Sequence, residues 1–460
     1  MLSNLAVRDI ETVLHPNTNL AQLRETGPLV LERAQGIYVY DKDGKAYIEG
    51  MAGLWCTSLG YGNEELVEAA AQQMRKLSYA HLYNGRSHDP AIELAEKLKE
   101  MAPVPISKVF FCNSGSEAND TQIKLVWYMN NALGRPKKKK IIGRMKGFHG
   151  LTLGAASLTG LPHNHTDFDL PLPGFIHTSC PHHYRYAHEG ESEEDFASRL
   201  AHELEELIVK EGPETVAAFI AEPVMGAGGV IVPPKTYFTK VMAVLNRYDV
   251  YMIADEVICG FGRLGRAFGC EVVGFKPHGI SIAKALSSAY LPIAGVMVPE
   301  DMYQALVAES AKIGTFGHGF TYAGHPVAAA VAVKTLEIYA RDRIFAKVAT
   351  MIPQFQTRLM ALGEHPLVGE ARGLGLMGGV ELVADKTSKR AFDPKRGVGA
   401  RCVRFAEEEG LIVRLLPGDT ISVCPPLIIT PDELNELFDR FRRALDRTLD
   451  WARHERLFAS

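Results

Sequence analysis

The chain has 460 residues, 47% of them hydrophobic and 23% charged, with a formal net charge of −4. That supports a large core in two or three domains, and a near-neutral balance excludes a general nucleic-acid-binding surface. Seven cysteines, an odd number with no CxxC pair, point to reduced thiols rather than a disulfide framework.

The first residues, Met1-Leu2-Ser3-Asn4, have no basic region followed by an apolar one, and no segment is apolar for long enough to span a bilayer. A cytoplasmic protein is expected. Residues 1 to about 35 read as a polar, irregular arm. Gly36–Tyr40 and Lys45–Glu49 flank Asp41-Lys42-Asp43-Gly44, which predicts a hairpin with an Asp/Gly turn. Gly53-Leu54-Trp55 is expected at the end of a strand. Asn63 then caps a helix whose first turn carries Glu64 and Glu65, where the helix dipole favours acids.

From about residue 90, strands alternate with helices. Lys108–Cys112 is a strand, Asn113–Glu117 a turn, and Ile123, Val126 and Trp127 share one helical face. The run Lys137–Lys140 follows Gly134-Arg135-Pro136 and precedes Ile141-Ile142, so a solvated loop before a strand is expected. Cys180-Pro181-His182-His183 lacks a second Cys/His pair at ligand spacing, so no metal is expected there. Further strands are Ala217–Ala221, Tyr251–Ala254, Gly279–Ala283 and Ile293–Met297, and Tyr237, Val241, Val244, Leu245 and Tyr248 mark a helix between Pro234 and Asp249. This alternation argues for a mainly parallel sheet covered on both faces.

Beyond about residue 330 a long helical segment leads to Gly373-Leu374-Gly375-Leu376-Met377-Gly378. The spacing matches GxGxxG, but it precedes a strand rather than opening a helix, so it cannot present a helix N-terminus to a pyrophosphate. The last helix starts with Thr430 as cap, Pro431 at the first position and Glu433 completing a capping box; Leu434, Leu437, Phe438, Phe441 and Leu445 form its apolar face.

Three central strands end in chemically active residues: Glu222-Pro223, Asp255-Glu256 and Lys284. In open α/β sheets, ligands bind beyond the carboxyl ends of the strands. A buried Asp–Lys ion pair is the plain alternative for Asp255 and Lys284. A fourth strand leads through Asn113-Ser114-Gly115-Ser116 into a helix whose free N–H groups suit a phosphate, although a simple cap is the alternative for that turn taken alone. Together, a lysine, a carboxylate and a phosphate turn describe a site for pyridoxal phosphate. The lysine can form a Schiff base with its aldehyde, and the aspartate can keep its ring nitrogen protonated.

The words Asn113–Ala118, Glu222–Gly229, Asp255–Arg263 and Gly319–Tyr322 carry a specific resemblance. From about residue 10 onward the chain resembles a class III aminotransferase of the fold-type I group, and is similar to its amine–pyruvate (ω-transaminase) branch. The resemblance implies an α/β fold: a three-layer large domain with a mainly parallel sheet (residues 65–330), and a smaller α+β domain built from both chain ends (1–64 and 331–460). It implies a ping-pong transfer of an amino group from a primary amine to a keto acid such as pyruvate. A diamine, taurine or ω-amino-acid transaminase is the alternative within the family, and an aminomutase or decarboxylase the alternative outside it.

Carried over by residue, Lys284 would hold the cofactor and shuttle the proton, and Asp255 would pair with the pyridinium. Ser114 (main chain), Gly115 and Ser116 would bind the phosphate, with Thr321, beside Phe320, reaching it from the partner subunit of a homodimer. Whether dimers pair into tetramers stays open. Val257 would pack on one ring face. Phe148, beside His149, would stack on the ring in place of the usual family tyrosine and so without its hydroxyl. Glu222 would support the cofactor side of the pocket, or simply be a strand-end acid satisfied by backbone N–H groups. Leu54, Trp55, Tyr83, Phe148, Ala227 and Ile258 would line a pocket for amine and keto acid, with Tyr83 from either subunit. Arg414 matches the family's mobile arginine; many ω-amino-acid relatives park it on a glutamate where this chain has Ala227.

Overall fold

A strand with no polar face is stable only inside a sheet covered on both sides. In the computed structural model, which describes residues 2–458, Val216–Ala221 and Tyr251–Asp255 are buried at every position. They lie at the centre of a seven-stranded sheet whose spatial order is Lys108–Cys112, Ala294–Val298, Gly279–Ile282, Tyr251–Asp255, Val216–Ala221, Lys140–Arg144 and Phe175–Thr178. Side chains alternate between the two covering layers, as the two-residue period of a strand demands. Phe219, Met252 and Ala254 join the core under the helices Glu193–Glu211 and Tyr237–Arg247. Ala218, Ile220 and Ile253 join the core under Gly115–Ala132 and Glu300–Ile313. This is the three-layer, mainly parallel architecture expected. Ala294–Val298 is antiparallel to both neighbours, so Lys108–Cys112 beyond it again points the same way as the parallel strands.

The two chain ends meet in a second sheet, where Leu411–Ile412 pairs parallel to Ala46–Glu49, itself hairpinned to Tyr38–Asp41. A third sheet comprises Val368–Leu374, Met377–Leu382, Thr420–Val423 and Arg414–Leu416. The GxGxxG stretch is the hairpin of this sheet, with Gly375 at φ +62°. The C-terminal helix Pro431–His454 has the capping box between Thr430 and Glu433. Among the described residues, no helix is long and apolar enough to cross a membrane.

Three local expectations need correction. The N-terminal arm is structured: helices Asn4–Thr12 and Leu20–Thr26 start on side-chain caps from Ser3 and Asn19, and Leu31–Gln35 is a strand. Gly53-Leu54-Trp55 does not end a strand; the strand stops at Glu49, and a contorted turn follows with Ala52, Gly53 and Trp55 all at positive φ. Lys137–Lys140 is not simply solvated. Lys138 is buried and donates to the Tyr248 carbonyl, Lys139 donates to the Trp127 carbonyl, and Lys140 pairs with Glu211.

Candidate active site

Glu222, Asp255 and Lys284 leave three adjacent strands at one edge of the central sheet. The Asn113–Ser116 turn leaves Lys108–Cys112 at that same edge, because two antiparallel steps restore the strand direction.

Asp255 is buried, and a buried carboxylate must be hydrogen-bonded to stay ionised. Its Oδ2 accepts from Asn119 Nδ2 and His149 Nδ1, each at 2.8 Å, and its Oδ1 accepts from the Val257 N–H at 3.1 Å. Asn119 also donates to the His149 carbonyl at 2.7 Å, locking histidine and aspartate together. Asn119 was not singled out in the sequence. The signal available was an amide on the buried face of Gly115–Ala132, one turn beyond the phosphate turn.

Ser114 caps that helix, its Oγ accepting from the Glu117 N–H at 3.2 Å. Ser116 Oγ accepts from the Leu151 N–H at 3.1 Å, tying the turn to the Phe148-His149-Gly150 segment. The close approach requires glycine twice. A Cβ on Gly115 would lie 3.0 Å from Val257 Cγ1, and one on Gly150, at φ +128°, would collide with Ser116. The first N–H groups of the helix have no intrahelical acceptor, which makes the turn an anion cradle.

Lys284 is partly buried, at φ +51°. Burial pulls its amine below the usual lysine range; Arg414 adds to the lowering, while Cys56, Asp255 and Glu222 oppose it. Its Nζ lies 5.3 Å from the Trp55 ring centroid, and Arg414 Cζ lies 4.9 Å from that same ring. Burial also lowers the Arg414 pKa, with no charged partner contributing.

The expected pocket residues divide. Trp55, Ala227 and Ile258 belong to one buried apolar cluster with Phe148 packed against it. Leu54 and Tyr83 are about half exposed. Tyr83 lies against Gly319, and Tyr79 donates to the carbonyl of exposed Thr321. Phe320 packs beside His318, which is held by Thr121 and Lys124. Within one chain, therefore, Tyr83, Phe320 and Thr321 form one surface segment, and among the described residues no hydrogen bond links them to the Ser114–Ser116 turn.

Glu222 is wholly buried, and burial raises its pKa, with His149 opposing and Asp255 reinforcing. Its oxygens accept from the Phe148 N–H at 3.0 Å and the Gly226 N–H at 2.8 Å. It thus fixes two pocket walls through their backbones. Two arginines that the sequence did not mark support it. Buried Arg144 donates to the Glu222 carbonyl at 2.6 Å, and Arg372 donates to the Gly229 carbonyl at 2.7 and 2.9 Å.

His182, Glu370 and Glu381 offer atoms within 4.8 Å of one another. Arg372 Nη1 already lies 2.6 and 2.7 Å from the two acids, and Arg185 Nε lies 2.5 Å from Glu381. Their charge is neutralised by guanidinium groups, and the cluster reads as an ion-pair network joining the Cys180–His183 segment to the third sheet.

Two features test whether pyridoxal phosphate fits. Buried His149 Nε2 and Asn119 Oδ1 have no partner among the described residues, and the glycine-lined cradle is made by Gly115, which opens the helix carrying Asn119, and Gly150, which follows His149. A ring nitrogen facing Asp255 and a phosphate on the helix start match these residues, so fold and site together define a fold-type I pyridoxal-phosphate enzyme. The model of the family Aminotransferase class-III matches residues 21–445, and the chain belongs to that family; its members depend on pyridoxal phosphate and are generally dimeric with small-molecule substrates. Its relatives include the chloroplastic gamma aminobutyrate transaminase 3 of Solanum lycopersicum, 52% identical over 422 residues, which are 92% of this chain and 81% of that one. The mitochondrial gamma-aminobutyrate transaminase 1 of Oryza sativa subsp. japonica is 52% identical over 95% of this chain and 84% of its own length. The omega transaminase of Pseudomonas jessenii, solved in complex with PMP, superposes with a TM-score of 0.95 at 53% identity, covering 98% of this chain and 99% of that one. The chain is a transaminase.

Proposed function

We propose that this transaminase moves the amino group of a primary amine bearing an apolar substituent to a keto acid such as pyruvate. The observation that carries this is a pocket wall of Trp55, Phe148, Ala227 and Ile258 with one guanidinium, Arg414, lying on Trp55 without a carboxylate partner among the described residues. An apolar wall accepts the amine's substituent, and an uncommitted guanidinium accepts the keto acid's carboxylate. Arg414 can swing toward that carboxylate and return to the face of Trp55 when an amine without one enters.

When bound, pyridoxal phosphate supplies the aldehyde that takes up nitrogen and the ring that delocalises negative charge. The rest is work for this chain's side chains. Asp255, steadied by His149 and Asn119, places a negative charge where the ring nitrogen must keep its proton. The lowered pKa of Lys284 leaves more of its amine neutral, able to attack a carbonyl and to carry a proton from one carbon to the next. Phe148 and Val257 would hold the ring. Thr321 and Tyr83, both exposed on one chain, would complete the site of a partner subunit, and the active unit would then be a homodimer.

The second reading is a transaminase of γ-aminobutyrate or another ω-amino acid. Arg414 can grip a donor's carboxylate as well, and plant relatives about half identical to this chain carry that name. Steady-state rates of alanine formation from pyruvate decide between the two, measured with benzylamine, γ-aminobutyrate, a diamine and taurine. A kcat/KM for γ-aminobutyrate above that for benzylamine would overturn the first reading.

A further inference from the structure

Glu49 ends the strand Ala46–Glu49, is 4% exposed, and has no part in the chemistry described above. Directly after it the backbone is contorted. Ala52, Gly53 and Trp55 have φ of +48°, +66° and +60°, two of them at residues with side chains. Each such residue costs on the order of 1–3 kcal/mol and persists only where surrounding contacts over-determine it. The Met51 N–H donates to Glu49 Oε1 at 3.0 Å, and the Gly53 N–H lies against the same carboxylate. From outside the turn, the Gly50 N–H donates to the Ile412 carbonyl at 2.9 Å and the Cys424 N–H donates to the Gly50 carbonyl at 2.6 Å. Those bonds anchor the base of the turn. Within the turn the Trp55 N–H donates to the Met51 carbonyl at 2.9 Å and the Cys56 N–H to the Ala52 carbonyl at 2.8 Å, and the Glu49 carboxylate is the ionisable side chain that holds the turn from inside.

The turn ends on Trp55, whose ring has Lys284 and Arg414 at 5.3 and 4.9 Å. Trp55 Nε1 has no partner among the described residues, so no hydrogen bond of its own fixes the ring. We propose that Glu49 is a positioning residue that sets the Trp55 wall of the amine pocket, and with it the preference between bulky and small amines. This rests on the reading of Trp55 as pocket wall.

An ionised carboxylate is acceptor-only and suits the N–H groups that face it; protonation turns one of its oxygens into a donor and weakens that hold. Burial raises the Glu49 pKa to about 7, with the Met51 and Gly53 N–H groups opposing the rise. The groups facing this region titrate elsewhere. Burial raises Cys56 and raises Tyr61 to about 12, Glu49 adding to both. Lys284 and Arg263 oppose the rise at Cys56, and Lys284 is the other group in the pocket that can lose its charge. The grip should therefore tighten as pH rises through about 7.

The test is the ratio of kcat/KM for benzylamine to that for propylamine, measured from pH 6 to 8.5. Both amines stay protonated there and the ionisation of Lys284 cancels in the ratio. In the wild type the ratio should rise several-fold through about pH 7. In Glu49→Gln it should be flat and about tenfold lower, the loss falling on the benzylamine KM rather than on kcat. Glu49→Asp, which restores the charge on a shorter stem, should recover the pH dependence in part. A second readout needs no turnover: the fluorescence difference between wild type and Trp55→Phe should titrate near pH 7, and the corresponding difference in the Glu49→Gln background should not. If Glu49→Gln does not fold, the wild-type ratio decides alone, and a ratio independent of pH overturns the proposal. A Glu49→Gln enzyme with the wild-type ratio and profile overturns it too. If Trp55→Ala also leaves the ratio unchanged, the pocket reading itself has failed; if Trp55→Ala changes the ratio and Glu49→Gln does not, only the role of Glu49 has.

Discussion

Replacing Arg414 with alanine should separate the two halves of the reaction. The guanidinium is partly buried over Trp55, and no ion pair holds it among the described residues. Binding a keto acid lets it make two parallel charge-assisted hydrogen bonds, each worth about 1.5–3 kcal/mol net. Leaving the Trp55 face costs back about 1–2 kcal/mol of cation–π attraction. The balance is about 3 kcal/mol, or roughly 100-fold in kcat/KM for pyruvate. An amine without a carboxylate never uses those bonds. Removing the cation takes away only the smallest of the causes that shift the Lys284 pKa, so the amine half-reaction should stay within about threefold. Stopped-flow spectra of each half-reaction in single turnover measure both numbers. An equal loss in the two halves, or undiminished use of pyruvate, would refute a switching arginine and make Arg414 a structural prop for Trp55.

Asp255→Asn keeps the shape of the clamp but removes its charge, and places an amide where His149 and Asn119 now donate; kcat should fall by orders of magnitude while equilibrium dialysis still finds cofactor bound, and activity within a few-fold of wild type would make Asp255 merely structural. Phe148→Tyr restores a hydroxyl on a half-buried ring whose backbone is fixed by Glu222; amine preference should shift with a change in thermal midpoint of no more than a few degrees, and an unchanged profile over bulky and small amines would show the hydroxyl irrelevant here. Glu256 is wholly buried, accepts from the Gly269 and Cys270 N–H groups at 2.8 and 2.7 Å, and has its pKa raised by burial to about 7 from 4.5. A folded state that holds the proton more tightly gains stability that is full below about 4.5 and lost as pH rises through about 7. Wild type should therefore gain on Glu256→Gln by up to about 3 kcal/mol between pH 8 and pH 5 in urea unfolding, and a gap that is flat or widens with pH would contradict this.

Much of the site was legible because of where charge interrupts apolar sequence. A strand buried on both faces is a run of apolar residues, so the acid or amine that ends it stands out: Ala221 to Glu222, Ala254 to Asp255, Ala283 to Lys284. The phosphate turn was legible for the opposite reason, its residues being too small for anything but a cap or a cradle. What stayed hidden depended on long-range partners or lacked a periodic signal. Asn119 reaches Asp255 across 136 positions, Arg144 reaches Glu222 across 78, and Arg372 reaches Gly229 across 143. Leu20–Thr26 buries none of its residues, so no apolar stripe announced that helix, only the Asn19 cap.

The turn at Ala52–Trp55 was misread for a deeper reason. No local preference selects left-handed φ for alanine or tryptophan, and a reading built on propensity cannot arrive there. The conformation is held from elsewhere. Ile412 and Cys424, more than 350 positions downstream, bond Gly50 at the base of the turn, and the Glu49 carboxylate takes hold within it. Strained backbone concentrates where surrounding structure over-determines it, and such places are enriched in functional sites. Here the strain points one aromatic ring at both cations of the pocket. The residues that define the chemistry could be read from short words of sequence. The turn that carries Trp55 is placed by a junction of the two chain ends, and only the folded chain brings that junction together.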